Sequence, residues 1–348
     1  MLDRRTLAIG VLVVLVAMSH ALSAQGQGGA AQGPAAEPQG RGAGAPPGQG
    51  GGGRGAGGGG RAGGGFGARG PAFTPGPGAK DLKSVLYNWT WHMGMLRSGA
   101  ESELVKTLDY HADGGTIQVN GQACAVTKVR IQANYQLPGY RTQIECTLPN
   151  KQTYKNVETM SGDYAWDEDI PGAELVPGKG KATPKPAALE ERRIRLWASP
   201  QGAPKAAIAG AAGLPTTDSF GKNPATLLDT QATAGVKGTT TLAWQGDKAI
   251  VTYPIPGVPG AIATATLDNT FLPERVVVKS GTNTTEFVYS NFQDFNNPLF
   301  KIEALMPATM VERRNGTVVR ELKSKVTEIG QIYVIVPVPD SVREAGGK

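Results

Sequence analysis

The first 80 residues set the strongest limit on what this chain can fold into, because they hold almost nothing from which to build a core. Arg4 and Arg5 precede an apolar run, Leu7 to Met18, and then the small-residue stretch Ser19-His20-Ala21-Leu22-Ser23-Ala24. That three-part layout reads as a secretory signal peptide over residues 1–24, cut after Ala21 or Ala24. The apolar run falls well short of the ~20 residues that span a bilayer as a helix. After cleavage the chain is therefore expected to carry no integral membrane segment and to reside in the periplasm or outside the cell. The paired arginines fit a Sec or a twin-arginine signal, and the choice stays open. Neither Cys124 nor Cys146 lies near the cleavage site, which excludes a lipid anchor on a new N-terminal cysteine.

From Gln25 to Lys80, Gly, Ala, Pro and Gln dominate, with Phe66 and Phe73 as the only aromatics. Such a segment cannot bury enough apolar area to offset backbone entropy, so residues 25–80 are expected to be a disordered basic tract. Arg54, Arg61 and Arg69 among glycines resemble an RGG-type RNA-binding segment. Behind an export signal a spacer is the better reading, or a tether to an anionic envelope polymer or an envelope protein. Charge placement agrees. Of the net +6, residues 1–24 hold +1 and residues 25–80 hold +4, leaving +1 for residues 81–348. A nearly neutral domain argues against nucleic acid as partner.

Within 81–348, expected to be one domain, Leu82, Val85, Leu86, Trp89, Met93 and Leu96 recur at helical spacing and predict a helix over 81–97. The period then becomes two. Val129–Tyr135 and Tyr140–Leu148 alternate on either side of the turn Leu137-Pro138-Gly139 and predict a hairpin. Further strands are predicted at 116–119, 154–160 and 164–166, then from Thr240 onward to a last one at 332–338. Helices are predicted over 186–198 and 204–211. The expected class is α+β: a curved antiparallel half-barrel of ten or eleven strands, with two or three helices on its concave side.

Exported chemistry needing histidine has only His92 and His111 to use once His20 is removed. A metallo-β-lactamase-type zinc site needs a dense His/Asp set and is excluded, and no G-x-S-x-G elbow is present. His92 reads as a helix-surface residue and His111 as turn chemistry. Pro177-Gly178-Lys179-Gly180-Lys181 fails as a phosphate loop, since no Ser or Thr follows Lys179. Asp163, Asp167, Glu168 and Asp169, with Glu174 nearby, form the densest acidic cluster, without EF-hand spacing. The sequence implies no catalytic residue, metal or cofactor. Two cysteines in an exported chain suggest a disulfide. If Tyr135 faces Tyr140, however, Cys146 faces Val129 and Cys124 faces Lys151. A Cys124–Cys146 bridge then needs a bulge or another register.

Met160-Ser161-Gly162-Asp163-Tyr164-Ala165-Trp166-Asp167-Glu168, Arg195-Leu196-Trp197 before Pro200-Gln201-Gly202, and Thr285–Phe292 carry a resemblance. So does the end of the chain, from Asn315-Gly316 to Val336-Pro337-Val338-Pro339. Together they resemble a family of uncharacterised exported bacterial proteins, related to the N-terminal region of some exported metallo-β-lactamase-fold hydrolases. At fold level the resemblance implies the half-barrel of LolA-like lipoprotein carriers and RseB-like lipid sensors. The hydrolase domain is not in this chain, so no catalytic residue carries over. The resulting expectation is a non-catalytic module binding a lipid, an acyl chain or an apolar peptide, with Val129, Ile144, Trp166 and Trp244 lining the cavity. The alternatives are an envelope scaffold and an enzyme built on the Asp163–Asp169 carboxylates.

Overall fold

A computed structural model of the chain describes residues 75–96, 105–211, 239–295, 304–329 and 334–346. The predicted signal peptide and nearly all of the Gly-rich tract lie outside the described residues.

Helix α1 (Leu82–His92) opens at Asp81, whose carboxylate accepts from the Ser84 amide at 3.0 Å and caps the first turn. Six strands then follow as a meander: β1 (Thr107–Val119), β2 (Gln122–Asn134), β3 (Gly139–Thr147), β4 (Thr153–Ser161), β5 (Tyr164–Glu168) and β6 (Ala182–Pro184). Helices α2 (Leu189–Trp197) and α3 (Gly202–Ala209) come next. A second meander runs through β7 (Thr241–Gln245), β8 (Lys248–Pro254), β9 (Ile262–Leu267), β10 (Pro273–Ser280), β11 (Asn283–Asp294), β12 (Leu305–Arg314) and β13 (Thr317–Ile329). The last helix is α4 (Asp340–Gly346).

All thirteen strands belong to one antiparallel sheet, ordered β6-β5-β4-β3-β2-β1-β13-β12-β11-β10-β9-β8-β7. The two meanders are thus joined at the centre, where the first strand pairs with the last. The sheet is not closed, since β6 and β7 remain as edges. The class is α+β as expected, but with more strands than ten or eleven, and with four helices among the described residues.

The β2–β3 hairpin explains the cysteines. Tyr140 pairs with Ala133, not Tyr135, because the Asn134 side chain accepts from the amides of Gln136 and Leu137 and ends β2 early. A bulge between Val126 and Lys128 then places Cys146 opposite Val126. Cys124 is therefore brought diagonally onto Cys146, and the two form a disulfide with Cα atoms 5.5 Å apart.

The predicted strand at 332–338 is a correction. Val334 to Pro339 has no strand structure, since Pro337 and Pro339 have no N–H to offer a ladder. Residues 332 and 333 lie outside the described residues. Val334 and Val336 instead pack with Trp166, Ala182 and Val342 of α4 in a small second core. The short edge strand β6 and helix α4 both went unforeseen in the loop and tail segments.

Candidate ligand cavity

Alternation assigns one face of the sheet to the main core. Leu108 and Tyr110 on β1, Val129, Ile131 and Ala133 on β2, and Tyr140 and Ile144 on β3 share it. Leu322 on β13, Met310 on β12, and Phe287 and Tyr289 on β11 continue the same face. Helix α2 lies over β3, β4 and β5 and against α3, which packs on β8 and α1.

Between α2 and the central strands is a cavity. Its volume is about 70 Å³, and it opens to solvent at its mouth. Tyr110, Tyr135, Tyr140 and Tyr289, with Ile131, Ala133, Met306 and Met310, supply most of the wall, and Ser199 and Pro200 cover it from the α2–α3 turn. The tyrosine hydroxyls are largely engaged: Tyr289 donates to the Ala198 carbonyl, Tyr135 bonds Ser199 Oγ at 3.1 Å, and Tyr110 accepts from Ser324 at 3.2 Å. Burial pushes the phenols of Tyr110 and Tyr289 above their ordinary range, so both stay neutral.

One wall of the cavity is ionic. Arg195 on α2 donates from Nε to Glu312 Oε2 and from Nη1 to Glu158 Oε2, both at 3.0 Å, and its Nη2 lies 2.7 Å from Glu191. Arg320 on β13 donates to Glu158 at 3.2 Å, and Arg314 donates to Glu312 and Glu191. Three guanidinium groups thus face three carboxylates and their charges balance, with Arg195, Arg320 and Glu312 buried and Arg314 and Glu191 partly exposed at the edge. Burial pushes the Glu312 carboxyl upward, but Arg195, Arg320 and Arg314 outweigh it and hold its pKa at about 2. The same opposition, burial against Arg195, Arg320 and Arg192, leaves Glu158 lowered. Arg195 is raised well above the ordinary value, Glu312 and Glu158 overcoming its desolvation. Only the Glu191–Arg195 pair, at i,i+4 on α2, is visible from spacing. The cluster's members come from three strands and a helix far apart in sequence.

None of the four lining residues expected from the sequence lines this cavity. Val129 and Ile144 face the same side but lie farther along their strands, as cross-strand partners within the core. Trp166 is on the opposite face, in the second core, and its Nε1 donates to Glu168 at 2.9 Å. Trp244 sits on the edge strand β7, with its Nε1 on the Lys80 carbonyl and the Lys80 ammonium 5.0 Å from its ring centre. The signal that would have found the cavity is the set of tyrosines on β1, the β2–β3 turn, β3 and β11, visible only once the strand order is known.

The acidic cluster is dispersed among separate partners. Asp163 pairs with Arg193, Asp167 with Arg192 at 2.5 Å, and Asp169 accepts from the Lys181 amide at 2.7 Å. Glu168 is buried and takes Arg141, Trp166 and the Gly172 amide. His92 is exposed and stacks on Phe271. His111 is within β1 rather than at a turn, with Nε2 at 3.1 Å from Asp109, on the face away from the cavity. Among the described residues no group of three or more His, Cys, Asp or Glu is placed to hold a metal. No described helix is long and apolar enough to cross a membrane.

No family model and no curated relative matches this chain. Among solved structures it is similar to a domain from Vibrio parahaemolyticus provisionally named an outer membrane lipoprotein-sorting protein. That likeness has a TM-score of 0.34 at 8 % identity and covers 72 % of this chain and 93 % of the other.

Proposed function

We propose that this chain is an exported, non-enzymatic module that takes a hydrophobic guest, a lipid, an acyl chain or an apolar peptide, on the inner side of a half-barrel. The cavity carries the reading. A concave site with apolar and aromatic walls and a few fixed polar groups is the usual form of a small-molecule site. Its chemistry favours binding over catalysis. The carboxylates beside it are locked in ion pairs, and the buried phenols stay neutral, which leaves the wall poor in groups poised to transfer a proton. The Cys124–Cys146 disulfide supports an oxidising compartment and so the export signal at 1–24. In this reading residues 25–80 are a basic spacer that gives the domain reach toward an envelope surface.

An environment-sensitive apolar dye tests it. The purified chain should bind the dye and release it to long-chain lipids. An Ala133→Phe variant, which fills the cavity from β2, should lose binding while keeping its circular dichroism spectrum. Failure of the wild-type chain to bind any such dye or to retain lipid would end the proposal.

A further inference from the structure

We infer that the loop joining β5 to β6, residues 169–181, docks this domain on an anionic lipid surface by inserting its exposed aliphatic side chains. Ile170, Leu175 and Val176 stand 46, 43 and 50 % exposed, three large apolar side chains within seven residues. Single exposed aliphatics are ordinary, but a group held outward on one short segment marks a contact surface. The segment is braced from within. The amides of Ala173, Glu174, Leu175 and Lys179 donate to carbonyls of the loop itself at 2.8 to 3.2 Å, and the Gly172 amide donates to Glu168 Oε2 at 2.6 Å. Pro171 and Pro177 have no N–H to satisfy, and Ala173 is fully buried. A backbone that meets its own donors can enter the boundary between headgroups and acyl chains, where unpaired amides are costly.

Charge selects the lipid. The two acidic side chains of the loop are turned onto the protein's own framework. Asp169 accepts from the Lys181 amide at 2.7 Å, and Glu174 accepts from the Ala182 amide at 2.8 Å and from Ser341 Oγ. Lys179, whose amide meets the Val176 carbonyl, and Lys181 are both exposed. Aliphatic side chains next to lysines fit an interface of negative headgroups. They fit a protein partner poorly. Specific protein interfaces bury on the order of 1,000 Å² or more around aromatic or arginine anchors and are poor in lysine. Residues 169–181 contain no aromatic and no arginine.

The test uses the full chain, so that the basic tract 25–80 contributes equally to every variant, and vesicles of equimolar phosphatidylcholine and phosphatidylglycerol. Cys124 and Cys146 are bonded to each other, so a Val176→Cys variant takes a polarity-sensitive dye at that position alone. Its emission should shift to the blue and brighten several-fold when vesicles are added. The same dye on Asn269→Cys, in the exposed β9–β10 turn, should not change. Leu175→Ser with Val176→Ser should weaken vesicle binding about tenfold. Lys179→Gln with Lys181→Gln should weaken it by a similar factor. A dye at position 176 that stays in water while the chain sediments with the vesicles overturns the inference, because the tract alone then holds the chain. Equal affinity of either double variant and the wild type, or no vesicle binding at all, also overturns it. So does a shift seen only with vesicles that carry envelope proteins, which assigns the loop to a protein partner. The loop is not part of the cavity wall, so each of these outcomes leaves the cavity reading standing.

Discussion

Arg320 on β13 and Glu158 on β4 meet at 3.2 Å although β1, β2 and β3 lie between their strands. In a flat sheet four strand spacings put them ~19 Å apart, beyond the ~15 Å that the two side chains and one hydrogen bond can bridge. The face must therefore bend toward itself. Arg195 closes the same span from above, holding Glu158 of the first meander and Glu312 of the second. The ionic cluster is a tie across the inner side of the sheet, and the cavity lies beside it.

Removing one member should cost more than removing a matched pair. Arg195→Met leaves Glu158 and Glu312 short of a buried partner, and loss of one side of such a pair costs about 3 to 5 kcal/mol. Arg195→Met with Glu312→Met restores neutrality, so its loss should be well below the sum of the two singles. Urea unfolding of the three variants measures both, and strict additivity would show that the tie is not a unit.

Acid should loosen the same tie. The Glu312 carboxyl titrates at about 2 in the folded chain against an ordinary 4.5. Between those values the unfolded state binds a proton that the folded state does not, so falling pH favours unfolding. The stabilisation is full above pH 4.5 and is lost as pH drops toward 2. Its size is roughly 3 kcal/mol, from 1.36 kcal/mol per pKa unit. Urea midpoints at pH 5 and pH 2.5 should differ accordingly, and Glu312→Gln should flatten the difference.

The sheet was legible where alternation is strong: Tyr140–Leu148 appears as β3 close to its predicted bounds, and Val129–Tyr135 falls on β2, which begins earlier, at Gln122. The cavity was not, because alternation tells which face a residue takes but not its row. Val129 and Ile144 were placed on the right face and missed the cavity by one row. Trp166 was misjudged outright. Its face is set by a register with Thr159 and by cover from Val334 and Val336, both remote in sequence. Arg195, Glu312 and Arg320 carry no mark of burial in the sequence, since burial of an arginine depends on partners that only the tertiary fold supplies.

Joining β2 to β3, the Cys124–Cys146 bridge closes a loop of 22 residues in sequence separation. Chain-entropy arguments assign a loop of that length about 3 kcal/mol. Cys124→Ser with Cys146→Ser should lower stability by about that amount, and adding a reductant to the wild-type chain should reproduce the loss. A reductant that leaves the urea midpoint unmoved would argue that the cysteines are not bonded in solution.

The seam between the two meanders has a close backbone approach at one glycine. Gly115 interrupts β1 with φ at +98°, and a Cβ there would sit 2.1 Å from the Glu321 carbonyl oxygen on β13. That oxygen belongs to backbone in a ladder and cannot step aside as a side chain would. Gly115→Ala is therefore expected to cost about 2 to 4 kcal/mol, combining strained backbone with a broken pairing. Gly162 is the control: φ is +54° there, but nothing lies within 4 Å of the added carbon. Gly162→Ala should cost only about 1 kcal/mol, the backbone penalty alone. The two variants compared by urea unfolding separate collision from conformation, and equal losses would mean that the β1–β13 contact at Glu321 contributes nothing to holding the halves together.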